Sequence, residues 1–276
     1  MKLLEKDATI RLLHPSDIRG AIKLTRAAGW NQLPSDWERL LSLDPEGCFT
    51  LESAGQVAAT TTVVRYDREL AWLGMVLTAP EFRRRGFAES LIEKALTFVE
   101  CRGVATVKLD ATETGISLYR RFGFVEDCEV QRWQRAPGPV EAGETLSYYP
   151  DFLYDRARFG ADRAALLAQL AELGAVSLPS EGYAMGRPGF SAAYFGPCLA
   201  NSSTSARRLL RWFLACHGDE YIFWDLFPTN QEAVGLAQEF GFSPVRRLVR
   251  MALPLTSDCS IPNPAEVFAI AGFELG

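Results

Sequence analysis

Histidine is nearly absent: His14 and His217 are the only two in 276 residues. The six cysteines, Cys48, Cys101, Cys128, Cys198, Cys216 and Cys259, are scattered with no C-x-x-C pair, so the ligand spacings of a structural zinc site are missing and no metal is expected. They read as reduced thiols packed as small apolar residues. Long apolar runs are also lacking. None approaches the roughly 20 residues that a membrane helix requires, and Met1 to Asp7 has no apolar signal-peptide core, so no membrane association is expected and the cytoplasm is the expected location. Positive charge is in deficit, with 29 Lys and Arg against 34 Asp and Glu and a net charge of −5. A nucleic-acid partner, which requires a basic face to neutralise phosphates, is therefore not expected.

What remains is an ordinary globular composition, 48% hydrophobic and 23% charged, in a chain long enough for two domains. Ala8 to Leu13 alternates as a strand, and Ser16-Asp17 introduces a helix to about Ala28. After the break at Gly29-Trp30-Asn31, the capping-box spacing Ser35-Asp36-Trp37-Glu38 predicts a second short helix. Residues 48–53 and 56–66 read as strands joined at Ala54-Gly55, and Leu70 to Leu77 as a third strand. From Gly86 to about Cys101 the positions Ala88, Leu91, Ile92, Ala95, Leu96 and Val99 share one helical face. A short strand (Ala105–Leu109), a helix from about Glu113 to Phe122 stopped by Gly123, and a long strand from Phe124 to about Gln134 follow. The fold class is mixed α/β, an α+β arrangement with a mixed sheet.

The segment Ala136 to Glu144 is rich in Pro, Gly and acid, which places a linker at 136–144 between domains at 1–135 and 145–276. Past it the pattern predicts a helix (about 161–173), strands (about 183–187 and 190–196), a helix (about 204–216), a strand (220–226), a helix (about 230–240) and a strand (245–253). A shift of 118 residues superposes Leu118, Phe122, Gly123, Phe124 and Arg132 on Leu236, Phe240, Gly241, Phe242 and Arg250, and Ala88, Leu91 and Leu96 on Ala206, Leu209 and Leu214, without a gap. Identities in matching elements point to a duplicated fold whose second copy is smaller and degenerate.

The most informative stretch is Met75-Val76-Leu77-Thr78-Ala79-Pro80-Glu81-Phe82-Arg83-Arg84-Arg85-Gly86-Phe87-Ala88-Glu89, in which a strand yields to a basic turn that opens a helix. Such a turn aims backbone N–H groups at one point, and the helix dipole and the arginines add positive charge, so a pyrophosphate fits. A solvated arginine surface is the other reading of those three residues. Arg83 to Ala88 resembles the pattern Arg/Gln-x-x-Gly-x-Gly/Ala of the GNAT acyltransferases. Thr112-Glu113-Thr114-Gly115-Ile116-Ser117-Leu118-Tyr119, ending in Phe122-Gly123-Phe124, is similar to the family's Asn-x-x-Ala-x-x-Leu-Tyr followed by Gly-Phe, with Thr112 and Gly115 departing from the commonest residues. Gly29-Trp30-Asn31, Trp72 to Val76, Leu109 to Thr112 and Ala271 to Gly276 resemble the bacterial YitH-like group, which carries a second GNAT-like domain.

The resemblance implies an N-acetyltransferase that moves an acetyl group from acetyl-CoA, its co-substrate, to a primary amine of a small molecule by direct attack in a ternary complex. A protein N-terminal or lysine acetyltransferase and a non-catalytic CoA-binding regulatory module are the alternatives, and a homodimer is left open. By resemblance, Met75, Val76 and Leu77 offer backbone bonds to the pantetheine arm, Arg83, Arg84, Arg85, Gly86, Phe87, Ala88 and Glu89 hold the pyrophosphate, and Thr112 belongs to the cofactor side. Tyr119 stands where the family places a phenol that protonates the leaving sulfur; a tyrosine packing helix against sheet is its structural alternative. Asp110 is the candidate base, with an N-terminal cap as its other reading and Glu113, Glu52 or a water chain as competitors. Trp30, Asn31 and Trp37 line the acceptor side in the fold this sequence resembles, or belong to the core. In the second half Asn201 to Ala206 replaces the arginine turn and Ala237 replaces Tyr119, so a second equivalent catalytic centre is not expected.

Overall fold

Ala54 and Gly55 both take positive φ, 51° and 70°, the backbone that a two-residue hairpin turn demands. They join β2 (Cys48–Ser53) to β3 (Gln56–Tyr66). The computed structural model describes residues 7–140, 143–149, 151–256 and 264–276. Met1 to Lys6, the linker residues Glu141 and Ala142, and Cys259 lie outside them. The chain divides into two compact units, the first of residues 1–109 with 253–259 and Leu275, the second of residues 110–252 with 260–274 and Gly276.

In the first unit β1 (Thr9–Leu12) pairs antiparallel with β2, β2 with β3, and β3 with β4 (Leu70–Thr78). β4 then pairs in parallel with β5 (Thr106–Ala111). Helices α1 (Ile18–Ala27), α2 (Pro34–Leu43) and α3 (Phe87–Cys101) pack on β3. With helices against it, β3 is buried continuously from Ala58 to Val64, which is why it reads as an apolar and threonine run and does not alternate. The start of α2 differs from expectation: Pro34 is its first residue, and Asp36, not Glu38, reaches back to the Leu33 N–H at 2.8 Å. Proline suits the first helical position because its missing N–H would be unpaired there anyway.

The second unit contains α4 (Glu113–Arg121), β6 (Val125–Arg135), α5 (Phe152–Phe159), α6 (Ala164–Ala171), β7 (Ala175–Leu178), β8 (Gly182–Arg187), β9 (Ala193–Ala200), α7 (Ser203–His217), β10 (Ile222–Leu226), α8 (Gln231–Glu239), β11 (Ser243–Pro254) and β12 (Val267–Ala269). Its strands run in the order β11-β6-β10-β9-β8-β7, with β12 against β9. The linker-based division placed β6 in the first domain. Its hydrogen-bonded neighbours are β10 and β11, both antiparallel to it, and residues 110–135 cluster with the second unit. The core there is aromatic: Trp224 meets Phe195 and Phe242 edge-on, each at 5.3 Å, and its Nε1–H donates to the Phe268 carbonyl at 2.7 Å.

Two buried ion pairs in the second unit reproduce the duplication. Arg132 on β6 grips Asp225 on β10 through Nε and Nη2, both at 2.7 Å. Arg250 on β11, the repeat partner of Arg132, grips Asp110 at the end of β5 at 2.9 and 3.0 Å. Each strand that follows the last helix of one repeat thus carries an arginine that neutralises an aspartate on a strand of the other repeat. Both aspartate side chains are fully buried.

Candidate active site

In the first unit β4 and β5 pair only over Leu70–Trp72 against Thr106–Lys108, whereas β4 continues to Thr78. The ladder with β3 is irregular at the same place: Thr60 faces Leu77 and Thr62 faces Gly74, so Met75 and Val76 bulge opposite Thr61. Met75 has φ of 50°, a left-handed backbone that costs about 1–2 kcal/mol in a residue other than glycine. Threonine hydroxyls hold the bulge, Thr60 donating to the Met75 carbonyl at 2.9 Å and Thr61 to the Gly74 carbonyl at 3.3 Å. A bulge beside the end of a ladder turns main-chain groups of Met75 and Val76 away from ordinary pairing, as bulges near active sites commonly do, while Leu77 rejoins the ladder opposite Thr60.

The strand leads through a short 3-10 turn (Pro80–Phe82) into the arginine turn. Arg84 and Gly86 are both left-handed, with φ of 64° and 85°, and the N-cap of α3 is Gly86, which has no side chain to offer the first-turn N–H groups. Alternating handedness of this kind makes a concave set of N–H donors, and α3 is long enough to add a full dipole. Arg83 donates to the Thr78 carbonyl and Arg85 to the Glu81 carbonyl, with Arg85 also over the Phe82 ring. Phe87 is buried and stacks on Phe82, which anchors the turn from below. Ala88 and Glu89 follow in the first turn of α3. The arginine turn thus combines left-handed backbone at Arg84 and Gly86, a helix start and three exposed arginines, features that favour an anion.

Also in the first unit, Trp30 is half-buried, Asn31 is buried and Trp37 has no exposed surface. The Trp37 indole N–H, the Gln32 Oε1 and the Thr62 hydroxyl are buried without a hydrogen-bond partner. Buried polar atoms are ordinarily paired, and leaving one unpaired costs about 1–3 kcal/mol. Gln32 and Thr62 escaped the sequence reading. Neither lies in a recognisable motif, and only their orphaned atoms draw attention to them.

In the second unit Tyr119, on α4, is 8% exposed and meets Phe124 edge-on at 5.9 Å. Burial pushes its phenol well above the ordinary value of 10.0, so it stays protonated and able to donate at any physiological pH. The ring lies across Gly115: a Cβ there would stand 3.2 Å from Tyr119 Cε2 and 3.4 Å from Thr112 Oγ1. The departure from the family's alanine at this position therefore makes room for the tyrosine. Thr112 precedes α4 without capping it, and its hydroxyl bonds that of Thr114 at 3.2 Å. Glu113 is exposed. Asp110 has both carboxylate oxygens held by Arg250. To take a proton from an amine it would have to give up part of a buried ion pair, which argues for the anchoring role over the basic one. Glu52, in the first unit, is engaged with Arg11. Among the described residues no group of His, Cys, Asp and Glu is arranged to hold a metal, and no helix is long and apolar enough to cross a membrane.

Residues 20–124 match the acetyltransferase (GNAT) family model, and residues 152–258 match a second model, the acetyltransferase (GNAT) domain. The chain belongs to the GNAT acetyltransferases, with two GNAT domains in tandem. Among its relatives are a holothin acyltransferase from Pseudoalteromonas, 30% identical over 106 residues, and a mycothiol acetyltransferase from Acidimicrobium ferrooxidans, 33% identical over 119 residues. Each match takes in 38% of this chain, and it spans 35% and 38% of the relatives' own lengths. The crystal structure of a protein from Pyrococcus horikoshii, assigned as an acetyltransferase, superposes with a TM-score of 0.86 at 22% identity, over 100% of this chain and 98% of that one, which shows that the fold is shared.

The second GNAT domain closes the place where the first is open. The N-terminus of α7 is capped by Ser202, whose hydroxyl accepts from the Ser205 N–H at 3.2 Å, and the Ser205 hydroxyl donates to the Glu181 carboxylate at 2.6 Å. An internal carboxylate thus stands beside the helix start that would otherwise attract a phosphate. Ala237, in the place of Tyr119, is fully buried. Asn230 keeps the family's residue but uses it as a cap, accepting from the Ala233 N–H at 3.1 Å and donating to the carbonyls of Ala265 and Val267.

Proposed function

We propose that the chain transfers an acetyl group from acetyl-CoA to a primary amine of a small molecule, using the turn of its first GNAT domain. The observation that carries this reading is the contrast between the two helix starts. The first has a glycine at its N-cap, is left-handed at Arg84 and Gly86, and is flanked by three exposed arginines; the second is capped by Ser202 and faced by Glu181. In this reading the N–H groups from Arg84 to Glu89 hold the pyrophosphate, and the main chain of Met75, Val76 and Leu77 binds the pantetheine arm. Acetyl-CoA supplies the activated acyl group. By the family resemblance, Tyr119, kept neutral by burial, takes the role of the phenol that donates a proton to the departing sulfur as the amine attacks the thioester carbon, and it is reprotonated from water. With Asp110 committed to Arg250, the amine proton passes to water. Trp30, Asn31 and Trp37 form the acceptor side, where the unpartnered Trp37 N–H and Gln32 Oε1 give a polar acceptor one donor and one acceptor to satisfy. Relatives named for holothin and mycothiol support a non-protein acceptor.

Calorimetric titration with coenzyme A tests the reading. Binding to the full chain is expected to be lost in Gly86→Glu, which places both a side chain at positive φ and a negative charge in the turn. Glu181→Gln is expected to leave binding unchanged. Normal coenzyme binding by Gly86→Glu sinks the assignment.

A further inference from the structure

A cleft of about 290 Å³ in the second unit is lined by none of the residues assigned above to acetyl transfer. Tyr149, Asp151, Tyr154, Ser177, Ser180 and Tyr183 line it together with apolar residues of the β7–β8 turn. Three tyrosines from three separate places in the sequence meet there: one before α5, one in its first turn, and one on β8. Hydrogen bonds hold the Tyr149 backbone and the Tyr154 and Tyr183 hydroxyls. The Tyr149 N–H donates to Ser177 Oγ at 2.8 Å, Tyr154 donates to the Glu181 carbonyl at 3.4 Å, and Tyr183 donates to Asp155 at 2.5 Å, within a buried pair that Asp155 forms with Arg163.

The charge of the lining is one-sided. Among the described residues that line it, Asp151 is the one ionic side chain. One oxygen of Asp151 caps α5 by accepting the Tyr154 N–H at 2.9 Å, and the residue is exposed, so its second oxygen is open to a ligand. The molecule also shows what these rings accept: the guanidinium of Arg158 lies 3.6 Å from the Tyr154 ring centroid. Aromatic faces attract cations through their quadrupole, and an adjacent carboxylate adds a full charge to the attraction. The nearby Arg158 and Arg163 are already ion-paired, with Glu266 and Asp155, so an anion gains little there and faces Asp151, while a neutral apolar ligand strips water from a carboxylate without compensating it.

We propose that this cleft is a binding site for a small organic cation, an alkylammonium head group, separate from the acetyl-transfer site. Its volume of about 290 Å³ lies just below the range of about 300–1,000 Å³ found for ligand pockets, which suits a head group and not a nucleotide.

The test uses the full chain and two isosteric probes, choline and the neutral 3,3-dimethyl-1-butanol, in calorimetry and in NMR titrations. Choline has no nitrogen lone pair and so cannot report on an acceptor-amine site through acetylation. Saturable choline binding is expected, with the neutral isostere about threefold or more weaker, the scale of a single exposed cation–π or ion-pair contact. Asp151→Asn preserves the helix cap, since asparagine caps as well as aspartate, and removes only the charge. It is expected to weaken choline while leaving the isostere unchanged. Tyr149 is 65% exposed, so Tyr149→Ala gives a second variant that should fold normally and also lose choline affinity. Excess coenzyme A should not displace choline. Failure to saturate, equal binding of the two probes, indifference to both substitutions, or displacement by coenzyme A would each overturn the proposal.

Discussion

Replacing Asp110 by asparagine separates an anchoring aspartate from a catalytic one. Its side chain is fully buried and that of Arg250 is 9% exposed, so Asp110→Asn leaves a guanidinium in the interior without its counter-charge. Breaking a buried pair from one side costs about 3–5 kcal/mol. With a urea m-value of about 3 kcal/mol/M, at the upper end for small proteins, the unfolding midpoint should fall by about 1–1.7 M. Asp225→Asn provides a control inside the same molecule. It strands Arg132 in the same way and also deprives the Tyr194 hydroxyl of its 2.8 Å acceptor, so its cost should be at least as large. The double replacement Asp110→Leu with Arg250→Met removes both charges, and such swaps are often neutral or stabilising. It should regain the midpoint and retain acetyl transfer within about tenfold, because loss of a general base costs about 100-fold or more. Urea unfolding followed by fluorescence, with initial-rate thiol release on folded samples, reads both quantities. The reasoning is refuted if Asp110→Asn keeps the wild-type midpoint yet loses activity, or if the stable double variant is inactive.

Tyr119→Phe should lower kcat with little change in coenzyme affinity. Because the folded phenol titrates above its ordinary value of 10.0, its contribution to stability is complete below pH 10 and is lost as pH rises towards the folded value; the variant's stability should therefore fall less steeply above pH 10, by up to about 1.4 kcal/mol per pH unit. Gly115→Ala, which restores the commoner family residue, should displace the Tyr119 ring by a few tenths of an ångström and lower kcat, visible as a shifted tyrosine resonance; an unchanged rate would mean that ring position is not critical. A fragment of residues 1–138 should aggregate or bind hydrophobic dye, since it ends in β6 without β10 or β11 beside it; a monomeric fragment with a cooperative melt would contradict this.

The local signals were legible. The hairpin at Ala54-Gly55, the helix face from Ala88 to Val99 and the arginine turn each depend on residues close in sequence. Periodicity missed α5, where Phe152 and Leu153 stay exposed and leave no apolar stripe to read. It also missed β7, where Val176, Ser177 and Leu178 are buried in succession and so do not alternate, and β12, which at three residues is too short for alternation to register. The role of Asp110 was illegible for a different reason. Its partner lies 140 residues away, and no local pattern distinguishes a carboxylate poised for chemistry from one already held. The same holds for β6, which was recognised as a strand while its neighbours, set by long-range pairing, were not.

That pairing also has a consequence in time. β6 ends at Arg135, and the first strand to pair with it, β10, begins at Ile222, 87 residues further on (222 − 135). At about 5–20 residues per second, a ribosome takes roughly 4–17 s to make that stretch. Throughout this interval a completed strand waits with both edges open, so the first repeat cannot finish folding before the second has been synthesised. Synthesis order, and whatever shields β6 during the wait, therefore bear on the yield of native protein independently of its final stability.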